Sequence, residues 1–146
     1  MLGLKRHPAF KVSRGELTLA ARAACAILGA QLQLRTRSIE QMRAWAATKA
    51  RRRARPKAAL QVAFRRASAR ISGTCLVRAL AMQRLMSEHG YTTELKIGVA
   101  KSGARLQAHA WLADEGGIIV GGEEAASYTL LASWPGNEAL DARSFR

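Results

Sequence analysis

The chain of 146 residues is poor in cysteine, in aromatic residues and in acids. Its two cysteines, Cys25 and Cys75, exclude a small secreted domain held together by several disulfides. Only eight residues are aromatic whereas 29 are alanine, so the core must be built mainly from small side chains. Such side chains at helical spacing favour closely packed helices over a thick β-sandwich. The hydrophobic content of 49% also excludes a disordered chain.

Long apolar runs and targeting segments are missing as well. The longest apolar stretch, residues 17–34, is interrupted by Arg22 and falls short of the ~20 apolar residues that a bilayer span needs. The first residues lack the apolar stretch and small-residue cleavage site of a signal peptide. We therefore expect a protein without a membrane span, located in the cytoplasm, with both thiols reduced.

The shortage of acids is confined to one half of the chain. Residues 1–70 carry 17 Lys and Arg but only two acids, Glu16 and Glu40, a net charge of +15. Residues 71–146 carry seven basic and eight acidic side chains, a net charge of −1. All of the excess charge therefore lies in the first half, which is typical of a protein with an anionic partner.

The basic segment, residues 49–57, is the most concentrated part of this charge, because seven of its nine residues are basic or proline. No aromatic side chain is interleaved to stack bases, and no zinc-finger or RNA-recognition signature follows. We therefore favour a solvated linker, consider an acidic peptide or protein partner next, and regard nucleic acid as the least favoured partner.

Helical signals fill the first half. Ser13 to Glu16 and Ser38 to Gln41 are capping-box patterns, and Pro56 suits the first position of a third helix. We expect the first helix to bury one apolar stripe, with Cys25 on it in a structural role: Leu17, Ala20, Ala21, Ala24 and Leu28, widened by Ile27 and Leu32.

Strand signals appear in the second half, where nine of the twelve glycines lie. A predicted helix over Cys75–Glu88 is followed by alternating strands over 93–99 and 105–112 and a return strand over 118–120. We therefore predict one α+β domain over 1–146. It consists of a basic helical part, residues 1–71, and a core, residues 72–146, in which a helix packs on a small antiparallel sheet.

Cys75 and His109 are the candidate catalytic residues. A helix amino terminus presents unpaired N–H groups and a partial positive charge, which favour the nucleophilic thiolate at Cys75 and can receive an oxyanion. His109 lies in the middle of a strand, next to Trp111. Both residues also fit a packing role, but a cysteine at a helix start and a strand histidine 34 residues later form the layout of a Cys–His acyl-transfer site.

Three motifs carry a resemblance to a known family: Cys75-Leu-Val-Arg-Ala, Glu94-Leu-Lys-Ile-Gly-Val and Ala108-His-Ala-Trp-Leu112. In this order and spacing, over roughly residues 70–132, they resemble the transglutaminase-like leader peptidases of lasso peptide biosynthesis. The resemblance implies a papain- or transglutaminase-like fold and a cysteine peptidase that removes the leader from a ribosomally made precursor peptide. It further implies Cys75 as nucleophile and His109 as general base and acid, with no cofactor or metal.

The resemblance also implies partners. They are the precursor peptide, a separate leader-recognition protein and the lasso cyclase that closes the ring. Because residues 1–70 show only helical patterns, we expect the stand-alone arrangement without a fused winged-helix module. The basic half would then provide a docking surface for the recognition protein or for an acidic leader.

One departure from the family pattern affects the third triad member. An aspartate is expected about a dozen residues after the histidine, but position 121 is glycine. We favour Glu123 as the orienting carboxylate, with Glu124 or a backbone carbonyl as alternatives; Asp114, at a hairpin tip, is too far along the strand. Two other functions stay open: a transglutaminase-like acyltransferase with an amine in place of water, and a non-enzymatic basic binding module.

Overall fold

A computed structural model describes residues 12–136 of the chain, so both ends of the predicted 1–146 domain lie outside the described residues. Four helices precede an antiparallel four-stranded sheet, which confirms the predicted α+β class. The helices are α1 (Arg14–Gln33), α2 (Ile39–Ala46), α3 (Lys57–Ser68) and α4 (Cys75–Glu88). The strands are β1 (Glu94–Ser102), β2 (Arg105–Asp114), β3 (Gly117–Val120) and β4 (Thr129–Pro135), with a 3-10 turn (Ala125–Ser127) before β4.

The helix starts follow the local sequence signals. Ser13 accepts from the backbone N–H of Glu16 at 3.2 Å and its own N–H donates to the Glu16 carboxylate at 2.8 Å, a complete capping box. A second capping box opens α2. Pro56 precedes α3 as its cap residue and is not its first residue. Thr74 caps α4, so that helix begins at Cys75 as predicted.

The sheet has the strand order β3-β2-β1-β4. The long β1–β2 hairpin places Gly98 opposite His109. Sequence periodicity missed β4 because Leu131 is an extra residue between the pairs Gly98–Leu130 and Ile97–Ala132. This bulge interrupts the alternation that identifies a strand. The chain between β3 and β4 must pass from one edge of the sheet to the other, since these strands are the two edges.

Helix α4 is the centre of the molecule. It contacts the other three helices and strands β1, β2 and β3, and nine of its 14 residues are buried. Helix α3 buries one apolar stripe in the same core: Leu60, Ala63, Phe64 and Ala67.

The prediction for α1 is wrong for its leucines and for Cys25, although Ile27 of the predicted stripe is buried. Leu17, Leu28 and Leu32 are 59%, 52% and 66% exposed, and Cys25, expected on the buried stripe, is exposed too. The buried face of α1 consists of Leu19, Ala23, Ala26, Ile27 and Ala30. Because α1 is apolar around most of its circumference, periodicity does not distinguish its two sides. The alanine-rich side lies inward, where small side chains allow α1 to approach α3 and α4 closely.

The basic segment is held in place more firmly than a solvated linker. The N–H groups of Arg51 and Arg52 donate to the carbonyl of Glu88 at 3.0 Å each. His89 Nδ1 lies 2.8 Å from the carbonyl of Arg53, and the Tyr91 hydroxyl donates to the carbonyl of Arg55 at 2.7 Å. The backbone of this segment is therefore fastened to the carboxyl end of α4, while the side chains of residues 51–53 are exposed.

No helix within residues 12–136 is long and apolar enough to cross a bilayer.

Candidate active site

Cys75 is the first residue of α4 and is half-buried against the hydrophobic core. The helix starts there because the hydroxyl of Thr74 accepts from the N–H of Val77 at 3.3 Å. The thiol therefore lies where a helix presents its free N–H groups. This position provides what the predicted nucleophile needs, namely local donors for a developing oxyanion.

His109 lies in β2, and its imidazole is fixed on three sides. Nε2 lies 2.8 Å from the carbonyl oxygen of Gly121. The ring stacks on Trp111, with centroids 6.0 Å apart, and meets the ring of Tyr128 at 4.9 Å. Because a carbonyl oxygen only accepts hydrogen bonds, Nε2 carries the proton in the neutral imidazole, and Nδ1 then carries the free lone pair. This tautomer is suited to accept a proton at Nδ1.

The Gly121 carbonyl reaches the imidazole because the β2–β3 pairing is irregular. Ala113 pairs with Ile118 but Leu112 pairs with Val120, so Ile119 is an extra residue. The chain then leaves the sheet at Gly121, whose φ is +81°. A Cβ at this position would lie 3.0 Å from the carbonyl oxygen of Ala110. The backbone at position 121 therefore disfavours a side chain, an aspartate included, and places its own carbonyl beside the imidazole.

A cleft of about 730 Å³ lies beside the imidazole. Helices α3 and α4 form one wall, and the chain from Ile118 to Glu124 forms the other. His109 contributes to the lining together with Arg78 and Met82 of α4. Cys75 does not line this cleft. It precedes Arg78 by three residues and Met82 by seven, which places it on the same face of α4, one turn beyond Arg78.

The structure brings only some of the predicted site residues together. His109, Glu123 and Glu124 line the same cleft. Within residues 12–136, however, no hydrogen bond joins His109 to Cys75 or to either glutamate, and Glu123 and Glu124 are exposed. The assignments of Cys75, His109 and Glu123 as catalytic residues therefore stay predictions. The sequence did not indicate Tyr128 as a partner of the imidazole, and it left a backbone carbonyl open as one alternative. The glycine pair at 121–122 was the available signal for the carbonyl.

The Asp114 carboxylate is engaged by Lys57 and by the backbone of its own hairpin. It pairs with Lys57 Nζ at 2.5 Å and accepts from the N–H of Gly116 at 2.9 Å. The hydrogen bond from Lys57 lowers the pKa of the Asp114 carboxyl, with a smaller contribution from Gly116 and against the raising effect of burial. No group of three or more His, Cys, Asp or Glu in the part of the chain that the structure describes is arranged to hold a metal ion.

Comparison with known proteins identifies the family. Residues 16–133, well over half of the chain, match the transglutaminase-like superfamily. The match includes α1, α2 and α3, so the helical part belongs to the family domain and the likeness is wider than the motifs of the second half indicate. No curated protein and no solved structure matches significantly. The chain belongs to the transglutaminase-like superfamily.

Proposed function

We propose that the protein is a cysteine peptidase in which Cys75 is the nucleophile and His109 the general base and acid. The observation that carries this proposal is the hydrogen bond from His109 Nε2 to the Gly121 carbonyl, which leaves Nδ1 as the basic nitrogen. The family supports it, since its members are typically cysteine peptidases or acyltransferases. The position of Cys75 at the amino end of α4 adds the donors that acyl transfer needs.

The proposed reaction proceeds in two halves. The thiol proton passes to His109 Nδ1 while Cys75 Sγ attacks the scissile carbonyl carbon, and N–H groups of the first turn of α4 stabilise the oxyanion. The imidazolium then donates its proton to the leaving amine, the C–N bond breaks, and a thioester remains on Cys75. In the second half His109 takes a proton from water, the hydroxide attacks the thioester, and the thiol leaves with that proton.

This chemistry requires an approach of the two side chains that the free protein does not show. No hydrogen bond joins Cys75 to His109 within residues 12–136, and catalytic hydrogen bonds are often formed only in the substrate complex. By strand alternation His109 and Trp111 point away from Ala110 and Leu112, which are buried in the core that contains α4. Substrate binding in the cleft must therefore bring the imidazole and the amino end of α4 closer together.

For the third catalytic role the structure favours a backbone group. The Gly121 carbonyl holds the protonated Nε2 of His109, the task that an aspartate performs in a papain-like triad. Glu123 stays the proposed side-chain candidate, because it lines the same cleft as the imidazole. Glu124 is the alternative.

The finer proposal is removal of a leader from a ribosomally made lasso precursor peptide in the cytoplasm. It rests on the resemblance of the three sequence motifs, and it includes a separate leader-recognition protein and the lasso cyclase as partners. The fastened backbone and exposed side chains of Arg51, Arg52 and Arg53 support a docking role for the basic segment, because a fixed cationic surface loses little entropy on binding an acidic partner.

The decisive test compares the two cysteines. Cys75→Ala should abolish release of the leader from a precursor peptide while far-UV circular dichroism shows a folded protein. Cys25→Ser should retain the wild-type rate, because Cys25 is exposed on α1. The product assay should include a primary amine such as glycine amide. Leader release with the opposite pattern of the two variants overturns the assignment, and transfer to the amine in preference to water makes the protein an acyltransferase.

A separate test addresses docking. Joint replacement of Arg51 and Arg53 by Gln should weaken binding of the precursor or the recognition protein, mainly by slowing association, and salt should have the same effect. Arg52 is left intact because it pairs with Glu88 at 3.2 Å. If a random DNA duplex binds tightly with a steep salt dependence and neither protein partner binds, the protein is a basic binding module instead.

A further inference from the structure

We propose that the cleft beside His109 recognises a carboxylate side chain of the peptide substrate through the guanidinium groups of Arg65 and Arg78. This inference rests on the proposed peptidase function and specifies its substrate class. Three observations carry it: the position of both arginines on one wall of the cleft, their lack of a protein partner, and the opposite charge of the facing wall.

The two arginines belong to regular helix faces that line the cleft. Arg65 shares the cleft-facing side of α3 with Gln61, Phe64 and Ser68, which recur at helical spacing. Arg78 precedes Met82 by one turn on α4. Both arginines are exposed, and the buried residues Phe64 and Met82 line the cleft beside them, so the apolar part of a bound side chain can pack there while its charged end meets the guanidinium groups.

Neither guanidinium has an ionic or hydrogen-bonding partner within the described chain, residues 12–136. By contrast, Arg84 forms an ion pair with Glu88 at 2.9 Å, and Lys57 is paired with Asp114. The acids of the cleft do not fill this role, because no ion pair joins Arg65 or Arg78 to Glu123 or Glu124 although all four line it. The two charged walls are thus held apart, with space between them for a third group.

The chemistry of the walls selects a carboxylate and fixes its orientation. A guanidinium binds a carboxylate through two parallel N–H···O bonds, which gives direction as well as attraction. The wall of Glu123 and Glu124 repels an acidic side chain, so such a side chain turns toward α3 and α4. Because Arg78 lies one turn from Cys75, the recognised residue lies within a few positions of the scissile bond.

The experiment measures binding without turnover. Full-length protein carrying Cys75→Ala is titrated with fluorescent, otherwise uncharged decapeptides, acetylated and amidated, that differ only in a central Glu, Gln or Lys. We expect the Glu peptide to bind about tenfold more tightly than the Gln peptide, as an added hydrogen-bonded ion pair predicts, and the Lys peptide to bind no better than the Gln peptide. A fourth peptide with Gln at the centre and a free carboxyl terminus separates a side-chain carboxylate from a terminal one. If it binds as tightly as the Glu peptide, the side-chain assignment is overturned.

Matched arginine variants test the assignment to this wall. Arg65→Gln and Arg78→Gln should each reduce the preference for Glu over Gln, and the double variant should bring it close to one. Arg66→Gln is the control, because Arg66 neighbours Arg65 on α3 and is exposed as well but does not line the cleft. Arg78→Glu should shift the preference toward the Lys peptide. That variant also keeps the test decisive where Arg78→Gln folds poorly.

The outcomes separate this inference from the proposed function. Equal binding of the Glu and Gln peptides, or an equal loss of preference in Arg66→Gln and Arg78→Gln, overturns the carboxylate subsite while leaving the peptidase assignment intact. Retained preference for Glu together with wild-type leader release by Cys75→Ala supports the subsite and overturns the role of the nucleophile.

Discussion

Helices α1 and α4 are both rich in alanine and leucine, yet they occupy opposite situations. In α4 nine of 14 residues are buried, whereas in α1 only five of 20 are, and three leucines of α1 are more than half exposed. Helix α4 contacts helices and strands around its circumference; α1 contacts mainly α3 and α4. A helix that is apolar on all sides is a core helix only when other elements surround it, and composition alone does not reveal this.

The same contrast separates the two cysteines. Cys75 is half-buried at the capped amino end of α4, and Cys25 is exposed in the middle of α1. A thiol at the amino end of a helix lies near backbone N–H groups that have no partner within the helix, whereas the N–H groups in the middle of a helix are already bonded to carbonyls. The two sites therefore differ in available chemistry as well as in burial, and each prediction below tests one consequence of this difference.

After the complete loss of activity expected for Cys75→Ala, the largest effect is expected at His109. His109→Ala should reduce peptide cleavage by about a thousandfold, roughly 4 kcal/mol of activation free energy, because both proton transfers are lost. Alkylation of Cys25 by iodoacetamide in the same protein should be unaffected, since Cys25 lies exposed on α1. The measurement is the cleavage rate, with the alkylation rate of Cys25 as the internal control. A variant that keeps a tenth of the wild-type rate contradicts the assigned role.

The next largest difference is expected in the free energy of unfolding, when a leucine is truncated in α4 or in α1. Leu80 is fully buried in α4, so Leu80→Ala should lower the free energy of unfolding by about 2–5 kcal/mol through lost burial and a residual cavity. Leu28→Ala on α1 removes the same atoms from a side chain that is 52% exposed and should cost less than about 1 kcal/mol. Urea denaturation of both variants gives the comparison. Equal losses would show that something covers the outer face of α1 in solution.

Local signals predicted much of this fold, because they depend on nearby residues. The predicted caps at Ser13 and Ser38 correspond to hydrogen bonds within three residues, and the strand alternation around His109 belongs to a hairpin of adjacent strands. The buried side of α1 and the pairing of β4 with β1 depend on contacts between distant segments, so periodicity does not determine them. At the site, the sequence shows that the glycine at 121 departs from the family pattern, but the contact of its carbonyl with His109 arises from the extra residue at Ile119.

Removing the cap of each helix should have the same cost in stability but different chemical consequences. Thr74→Ala and Ser13→Ala each delete a side-chain acceptor from a helix start and should each cost about 1 kcal/mol. Thr74→Ala should also slow cleavage, because the first turn of α4 carries Cys75, whereas Ser13→Ala should not. Thermal unfolding and cleavage rates of both variants provide the test. Equal cleavage rates in the two variants would show that catalysis does not depend on the ordering of that first turn by its cap.

A smaller effect is expected for the carboxylates near the imidazole. Because the Gly121 carbonyl already contacts Nε2, Glu123→Gln and Glu124→Gln should each change the cleavage rate of an uncharged peptide by less than about tenfold. A loss from Glu123→Gln as large as that from His109→Ala would instead make Glu123 the orienting residue in the substrate complex. Wild-type rates in both variants would leave the backbone carbonyl as the orienting group.

The smallest effect is expected where the helical part meets the sheet. Lys57, at the start of α3, pairs with Asp114 of β2, and this contact lowers the pKa of the Asp114 carboxyl. The folded protein therefore keeps the carboxylate charged at a pH where the unfolded chain already binds a proton. The contribution is fully present at neutral pH and is lost as the pH falls below about 4 and through the lowered pKa.

Asp114→Asn should consequently cost about 0.5–1 kcal/mol at pH 7, in the range of partly exposed ion pairs, and progressively less in acid. Asparagine can still accept from the N–H of Gly116, so the hairpin turn is preserved and the difference reports the ion pair. Urea denaturation of wild type and variant between pH 7 and pH 3 measures it, with Lys57→Gln as the partner variant. A stability difference that stays constant over this range would show that Asp114 acts through the turn, and that its ion pair with Lys57 of α3 contributes nothing to the free energy of unfolding.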